Sequence, residues 1–330
     1  MKYAIAKMLK DAAPDYVSGR DIGRRLDVSR TAVWKHVEEL RKEGYSIEAS
    51  TRCGYRLLSS EERLNAWEIS QELGTRVAGS EILYFDSLDS TNRYAGKLAS
   101  EGCNEGLTVI AGRQTGGRGR LGRSWESPAE KGIYLSIVLK PDIAPVESPI
   151  LTFAAAVAVE KAIRTTTGIK AGIKWPNDLI IDGRKVCGIL LEMNSEADKV
   201  NYVILGIGLN YSQSVEDFPK ELKDRAISLK LAAAAGSRFD RLSLIKSILR
   251  ELDSVLKLVK EGSYEKILDV WREYSITLGK EIAFKIKDNG YCGTAIDITG
   301  EGRLLVECRD GARRELLSGE ISIRGINGYV

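Results

Sequence analysis

Hydrophobic positions at the start of the chain recur at helical spacing. Ile5, Met8, Leu9 and Ala12 form one face of a helix over residues 2–12. Ser18-Gly-Arg-Asp21 reads as a capping-box start, with Asp in place of the usual Glu or Gln, and leads into Ile22 to Leu26. After a short Asp27-Val28 turn, Ser29 caps a further helix with Val33, Val37 and Leu40 on its inner face, which stops at Gly44. Two short helices joined by a tight turn form a helix-turn-helix signature. Ile47 to Leu57, with Cys53-Gly54 at the tip, reads as a hairpin wing. A small helical oligomerisation module would share much of this pattern. In the helix capped by Ser29, residues Arg30, Thr31, Trp34 and Lys35 fall on the faces that could reach base edges and phosphates. Trp34 equally suits packing against a neighbouring element.

A connecting helix is expected over Glu61 to Gly74, followed by strands at Ile82–Phe85, Leu107–Ala111 and Gly132–Leu139. Pro149 to Arg164 is an alanine-rich helix, apolar on almost every side and therefore buried. Strands follow at 171–175, 179–182, 186–193 and 201–209, the middle pair joined by an Asp182-Gly183 hairpin. Residues 242–259 carry Leu242, Ile245, Leu249, Leu252, Leu256 and Val259 as a helical stripe. Mostly consecutive, hairpin-linked strands argue an α+β fold with an antiparallel or mixed sheet. From Glu281 onward five short strands are set apart by Asp288-Asn-Gly290, Thr299-Gly300, Asp310-Gly311 and Ser318-Gly319, a spacing that suggests a small barrel. The expected division is 1–62, 63–272 and 273–330.

Composition narrows the function classes. Residues 1–60 hold 12 Lys/Arg against 8 Asp/Glu, or +4; the rest holds 37 against 38, or −1. The basic excess sits in the segment patterned for DNA. Five scattered cysteines without a C-x-x-C pair, and one histidine, His36, support neither a zinc site nor a disulfide framework. No histidine is available as a general base in the central region. No long apolar run and no signal-peptide pattern are seen, so no membrane association and a cytoplasmic location are expected.

Polar clusters interrupt the apolar strands. The largest is Gly112-Arg113-Gln114-Thr115-Gly116-Gly117-Arg118-Gly119-Arg120-Leu121-Gly122-Arg123-Ser124-Trp125, which leaves the strand at 107–111. Its glycines let backbone approach a ligand, its arginines offer planar charged forks, and Trp125 offers a face for stacking. It lacks P-loop spacing, and a solvated basic loop would read the same way. The others are Ser90-Thr91-Asn92, Lys174-Trp175-Pro176-Asn177-Asp178 and Gly183-Arg184-Lys185-Val186-Cys187-Gly188-Ile189. Ser90 could simply cap a helix over 91–100, Lys185 could be a solvated hairpin lysine, and Asp178 a turn former. Gly206-Ile-Gly208-Leu-Asn210 imitates a dinucleotide fingerprint, but it lacks the third glycine and a following amphipathic helix.

Taken in order, G-R-G-R-x-G-R-x-W, K-W-P-N-D and R-K-x-x-G-I-L-x-E closely resemble the biotin protein ligases. With the N-terminal residues included, the chain resembles the bifunctional form, a biotin ligase that is also the biotin operon repressor. The resemblance covers essentially the whole chain. It implies a winged helix-turn-helix, a class II synthetase-like ligase domain and an SH3-like C-terminal barrel. Leu121 stands where many members have another arginine, and Thr115 and Cys187 also depart from some relatives.

The implied reaction joins biotin to ATP as biotinyl-5′-AMP with release of pyrophosphate. Biotin then passes to a lysine of a biotin carboxyl carrier protein. A carboxylate with a pKa near that of Glu, about 4.3, is already ionised at pH 7, so fixed positive charge should dominate catalysis. By family match the expected catalytic residues are Arg118, Arg120 and Lys185; with no histidine available, Asp178 is the candidate to accept or orient the carrier lysine's proton. Biotin would meet Ser90, Thr91, Asn92, Gln114, Arg118, Gly119, Arg120 and Lys185. The adenylate would meet Arg118, Arg120, Trp125, Asn177, Asp178, Lys185 and Asn210. Operator DNA would meet Ser29, Arg30, Thr31, Trp34 and Lys35. No carboxylate cluster marks a protein-held metal, so Mg²⁺ would arrive with ATP. A homodimer strengthened by biotinyl-AMP is expected. A lipoate–protein ligase and a catalytically silent regulator are the competing readings; the G-R-G-R-x-G-R-x-W loop argues against the first, the intact Arg118, Arg120, Lys185 and Asp178 against the second.

Overall fold

The computed structural model describes residues 1–59, 64–286, 289–317 and, for the backbone, 324–325. The chain forms two compact units, Met1–Arg63 and Leu64–Val330. Among the described residues no helix is long and apolar enough to cross a membrane.

The first unit runs α1 (Lys2–Ala12), α2 (Gly19–Leu26), α3 (Arg30–Lys42), β1 (Ser46–Ser50) and β2 (Gly54–Ser59). Both expected caps are present: Ser18 Oγ accepts from Asp21 N at 3.1 Å, and Ser29 Oγ accepts from Ala32 N at 3.2 Å. Ile5, Leu9, Ile22, Val33, Val37 and Leu40 are all fully buried and supply the core between the helices. Strands β1 and β2 pair antiparallel, and Val17 adds a bridge to Tyr55. This is a helix-turn-helix unit with a hairpin wing.

The second unit opens with α4 (Ala66–Ser70), β3 (Glu81–Phe85), α5 (Thr91–Ser100), β4 (Leu107–Ala111), β5 (Gly132–Leu139) and α6 (Pro149–Thr167). It continues with β6 (Gly172–Lys174), β7 (Asp178–Ile181), β8 (Arg184–Ser195), β9 (Val200–Asn210), α7 (Leu229–Ala232), α8 (Arg241–Lys260) and α9 (Tyr264–Tyr274). Strands β10 (Glu281–Ile286), β11 (Asn289–Ile298), β12 (Leu304–Cys308), β13 (Arg313–Leu316) and β14 (Arg324–Gly325) complete it. The central sheet has the order β3-β4-β5-β9-β8-β7-β6. Only β3 and β4 are parallel, so the sheet is mixed.

Both faces of its middle strands are covered, because side chains alternate across a strand. Leu107, Val109, Val138 and Ile204 join Ala95 and Ala99 of α5 on one face. Ile110, Ile133, Leu135, Ile137 and Leu205 point the other way, into a core filled by α6, α8 and α9. That core runs on through Ile282, Phe284, Ala295, Leu304 and Val306, so the C-terminal strands share it. They form an antiparallel sheet of order β13-β12-β11-β10-β14, and among the described residues no pairing joins β13 to β14 to close a barrel. The expected turns at Asp288 and at Ser318-Gly319 lie outside the described residues.

The connecting helix is shorter than its sequence span suggests, and Glu61 to Arg63 lie outside the described residues. Asn65 caps α4 by accepting from Glu68 N at 2.8 Å, but Gln71 is already extended and Glu72 has φ 54°. Distant side chains hold this turn. Arg250 of α8 donates to the carbonyls of Glu72 and Leu73 at 2.7 and 3.0 Å. Asp253 accepts from the N–H groups of Arg76, Val77 and Ala78 at 3.0, 2.6 and 3.0 Å. Asp253→Ala strands these donors and should lower stability by about 1–3 kcal/mol. Urea denaturation monitored by circular dichroism checks this, and an unchanged midpoint would contradict it.

Candidate functional site

All twelve central candidates line a single cleft of about 770 Å³ on the mixed sheet: Ser90, Thr91, Asn92, Gln114, Arg118, Gly119, Arg120, Trp125, Asn177, Asp178, Lys185 and Asn210. The floor of this cleft is glycine. Gly206 and Gly208 lie two residues apart on β9 and so share a face, with Gly188 of β8 paired across from Gly208. A Cβ on Gly206 would come within 2.1 Å of Asn92 Oδ1, and one on Gly208 within 2.6 Å of the Trp125 indole. The Gly-x-Gly of β9 is therefore a thinned sheet that admits two side chains. Its resemblance to a nucleotide fingerprint is incidental.

At one end, residues Ser90 to Asn92 start α5, and Ser90 Oγ accepts from Arg93 N at 3.4 Å. Gln114 Oε1 accepts from both Thr91 N and Thr91 Oγ1, at 2.9 and 3.1 Å, while its Nε2 donates to Ser127 Oγ at 3.0 Å. Its amide thus braces the loop against α5. Asn92 Nδ2 donates to Glu192 Oε2 at 2.7 Å, and Ser136 Oγ lies 2.6 Å from Asn92 Oδ1. These contacts make a pre-ordered polar end on a buried sheet.

The other end is charged. The glycine–arginine loop folds back on itself: Gly119 N donates to Arg123 O at 2.7 Å and Trp125 N to Gly117 O at 3.0 Å. Arg120 Nη1 donates to Asn177 Oδ1 at 3.0 Å, and Asn177 Nδ2 donates to Ile189 O at 2.7 Å. Burial pulls the Arg120 guanidinium below its usual pKa, against the opposing pull of Asp178. Lys185 Nζ is 2.6 Å from Asp178 Oδ1 and 5.2 Å from the centre of the Trp125 ring. The backbone of Lys185 is fixed by bonds to Arg225 and Ile227, its N donating to Arg225 O at 2.7 Å and its O accepting from Ile227 N at 3.0 Å. The amide of Asn210, buried, is spent on Ile227 O and Gln213. Six cationic side chains (Arg118, Arg120, Arg123, Lys174, Lys185, Arg225) line the cleft against three acids (Glu126, Asp178, Asp224). That balance suits a polyanion.

The sequence reading missed several residues. Ser136 is the only hydroxyl in an otherwise apolar run of β5 from Ile133 to Val138, apart from Tyr134, and that interruption was its signal. Lys174 and Glu192 stand inside the quoted motifs without an assigned role. Arg225 had no sequence signal. Cys187 is fully buried, and burial pushes its thiol up, so it offers no thiolate at neutral pH. Among the described residues no three His, Cys, Asp or Glu side chains are grouped as a metal site requires. In the first unit, Arg30, Thr31, Trp34 and Lys35 are all exposed on one side of α3, Trp34 at 54 %. Trp34 is therefore not packed away.

A polar-ended, cation-rich cleft on a mixed sheet, in a chain that also carries a helix-turn-helix unit, fits a class: a protein ligase of the biotin/lipoate type with a DNA-binding-type module. The biotin/lipoate A/B protein ligase family model matches residues 84–210, an HTH domain model residues 2–56, and the biotin protein ligase C-terminal domain model residues 277–324. The chain is 41% identical over 310 residues to the bifunctional ligase/repressor BirA of Bacillus subtilis, covering 94% of this chain and 95% of that one. It is 30% identical over 311 residues to the BirA of Escherichia coli, covering 94% of each. The fold matches the biotin protein ligase from Aquifex aeolicus in complex with biotin and ATP with a TM-score of 0.63 at 30% identity, over 74% of this chain and 99% of that one. The chain belongs to the bifunctional biotin ligase/repressor family.

The glycine floor can be tested directly. Gly206→Ala forces Asn92 out of position, and overpacking of this kind costs roughly 1–3 kcal/mol. Biotin binding measured by calorimetry should weaken about 5- to 150-fold. An unchanged affinity would show that Asn92 and the floor do not shape the ligand site.

Proposed function

We propose that the second unit activates biotin with ATP and transfers it to a lysine of a biotin carboxyl carrier protein, and that the first unit represses transcription by binding operator DNA. The observation carrying the enzymatic reading is the cleft itself, lined by six cationic residues where two anions must meet. Biotin's carboxylate oxygen bonds to the α-phosphorus of ATP while the bond from that phosphorus to the β-phosphate oxygen breaks, and pyrophosphate leaves. Arg118, Arg120 and Lys185 offset the charge that builds up on the phosphoryl oxygens. Ser90, Thr91 and Asn92 hold biotin's polar end, with Gln114 bracing them. Trp125 and Asn177 lie against the adenylate, and Asn210 supports that wall. Mg²⁺ enters with ATP.

The second step needs a proton acceptor, because a lysine amine has a pKa near 10.4. The single histidine, His36, lies on α3 beside Glu39. Asp178 is the candidate. While the cleft is empty, Lys185 occupies it; the adenylate phosphate then draws Lys185 away and frees the carboxylate. The amine attacks the acyl carbon, AMP leaves, and the proton passes to Asp178.

For repression, Arg30, Thr31, Trp34 and Lys35 face the DNA while Ser29 caps their helix. The protein acts as a dimer that biotinyl-AMP strengthens. The C-terminal strands belong to a module of the SH3-like type, and the three modules are 1–62, 63–272 and 273–330.

The deciding experiment measures pyrophosphate release with biotin, with lipoate and with neither. Release with biotin alone supports the reading, release with lipoate points to a lipoate ligase, and no release leaves only a regulator. Arg120→Gly should also loosen the hold on the intermediate. Losing one such donor commonly costs roughly 3–4 kcal/mol. Free biotinyl-AMP should then escape and label bystander lysines, and an unaltered ratio of released to bound adenylate would refute that role.

A further inference from the structure

The corner between β6 and β7 carries Lys174, Asn177 and Asp178 into the cleft, yet part of what holds it comes from much later in the chain. After α9 the backbone runs beside β6: Ser275 bridges to Ile173, and Ile276 N donates to Ile173 O at 3.0 Å. The next residue, Thr277, is fully buried, and its Oγ1 accepts from Trp175 N at 3.0 Å. Trp175 lies past the end of β6, so this hydroxyl does there what a neighbouring strand's carbonyl does elsewhere in the sheet. The indole is held as well, with Trp175 Nε1 donating to Gly302 O at 3.2 Å. Gly302 sits in a closed turn in which Gly302 N donates to Thr299 O at 2.8 Å and Thr299 N to Arg303 O at 2.9 Å. Arg272 of α9 ties down the same region through Asp297 at 2.9 Å.

We propose that Thr277 is a positioning residue for adenylate formation, through which the C-terminal segment sets the height of the Lys174–Asp178 corner. The inference rests on reading the cleft as the place where biotin is activated. The corner holds two of the three cations invoked there: Arg120 through Asn177, at 3.0 Å, and Lys185 through Asp178, at 2.6 Å. Both stabilise charge that grows during the reaction, so a displaced corner lowers kcat more than it raises KM. A residue that only supported folding would not produce that split.

Thr277→Val removes the hydroxyl at nearly constant volume, and Thr277→Ser keeps it. Biotin-dependent pyrophosphate release by the full chain should fall at least tenfold in kcat for Thr277→Val, with KM for ATP within threefold of the parent. Thr277→Ser should stay within threefold in both. A Thr277→Val kcat within twofold of the parent, or an equal loss in both variants, overturns the proposal. If Thr277→Val is unfolded at the assay temperature, Trp175→Phe tests the second bond by which the C-terminal segment holds this corner, by removing the donor to Gly302. It should give the same kcat loss, and a parental kcat would overturn the proposal. Parent protein that releases no pyrophosphate with biotin would instead overturn the functional reading.

Discussion

The ion pair between Lys185 and Asp178 is the constraint around which the second unit is arranged. A site for two anions must collect positive charge, and collected positive charge repels itself when the site is empty. Lys185 and Asp178, 2.6 Å apart and both largely buried, relieve this without removing the cation. Arg120 is anchored instead by a neutral partner, Asn177. A partly buried pair of this kind contributes little net stability, but losing either member leaves an uncompensated charge. In the proposed mechanism the pair also keeps the carboxylate occupied until a phosphate competes for the lysine. The order of the two half-reactions follows from electrostatics in this account.

The rest of the site exists to place that pair. Gly188 and Gly208 let the Trp125 ring approach the sheet closely, next to Lys185. The bonds from Lys185 to Arg225 and Ile227 fix the start of β8. Thr277 and Gly302 fix the corner that carries Asp178. Each support comes from a separate part of the chain, and they meet only because one hydrophobic core runs from Ile110 through Trp271 to Val306.

Much of this was legible in the sequence, for local reasons. The helix from Arg30 follows from Ser29 and from Val33, Val37 and Leu40, whose spacing and capping chemistry act within a few residues. Asp182-Gly183 announces the hairpin between β7 and β8 because that turn needs positive φ, found at 48° and 71°. The cleft residues were recognisable as motifs. What stayed hidden depends on partners far away. Nothing near Glu72 announces its φ of 54°, which Arg250 and its neighbours hold in place. The helix Tyr264–Tyr274 was overlooked, although Ile267, Leu268 and Trp271 are all buried at helical spacing. Gly206 reads as a fingerprint or as nothing until Asn92 is seen against it. Thr277 has no signal at all, since its partner lies 102 positions earlier.

The central claim is that one ion pair serves both steps, with Asp178 released to accept a proton once Lys185 turns to phosphate. The direct measurement is single-turnover transfer from preformed biotinyl-AMP to a carrier lysine at pH 7, compared between the parent and Asp178→Asn. General-base catalysis contributes about 10²–10⁴-fold. The account predicts a transfer rate reduced by that order, with a smaller effect on the rate of adenylate formation. Unchanged transfer, or an equal slowing of both steps, would contradict it.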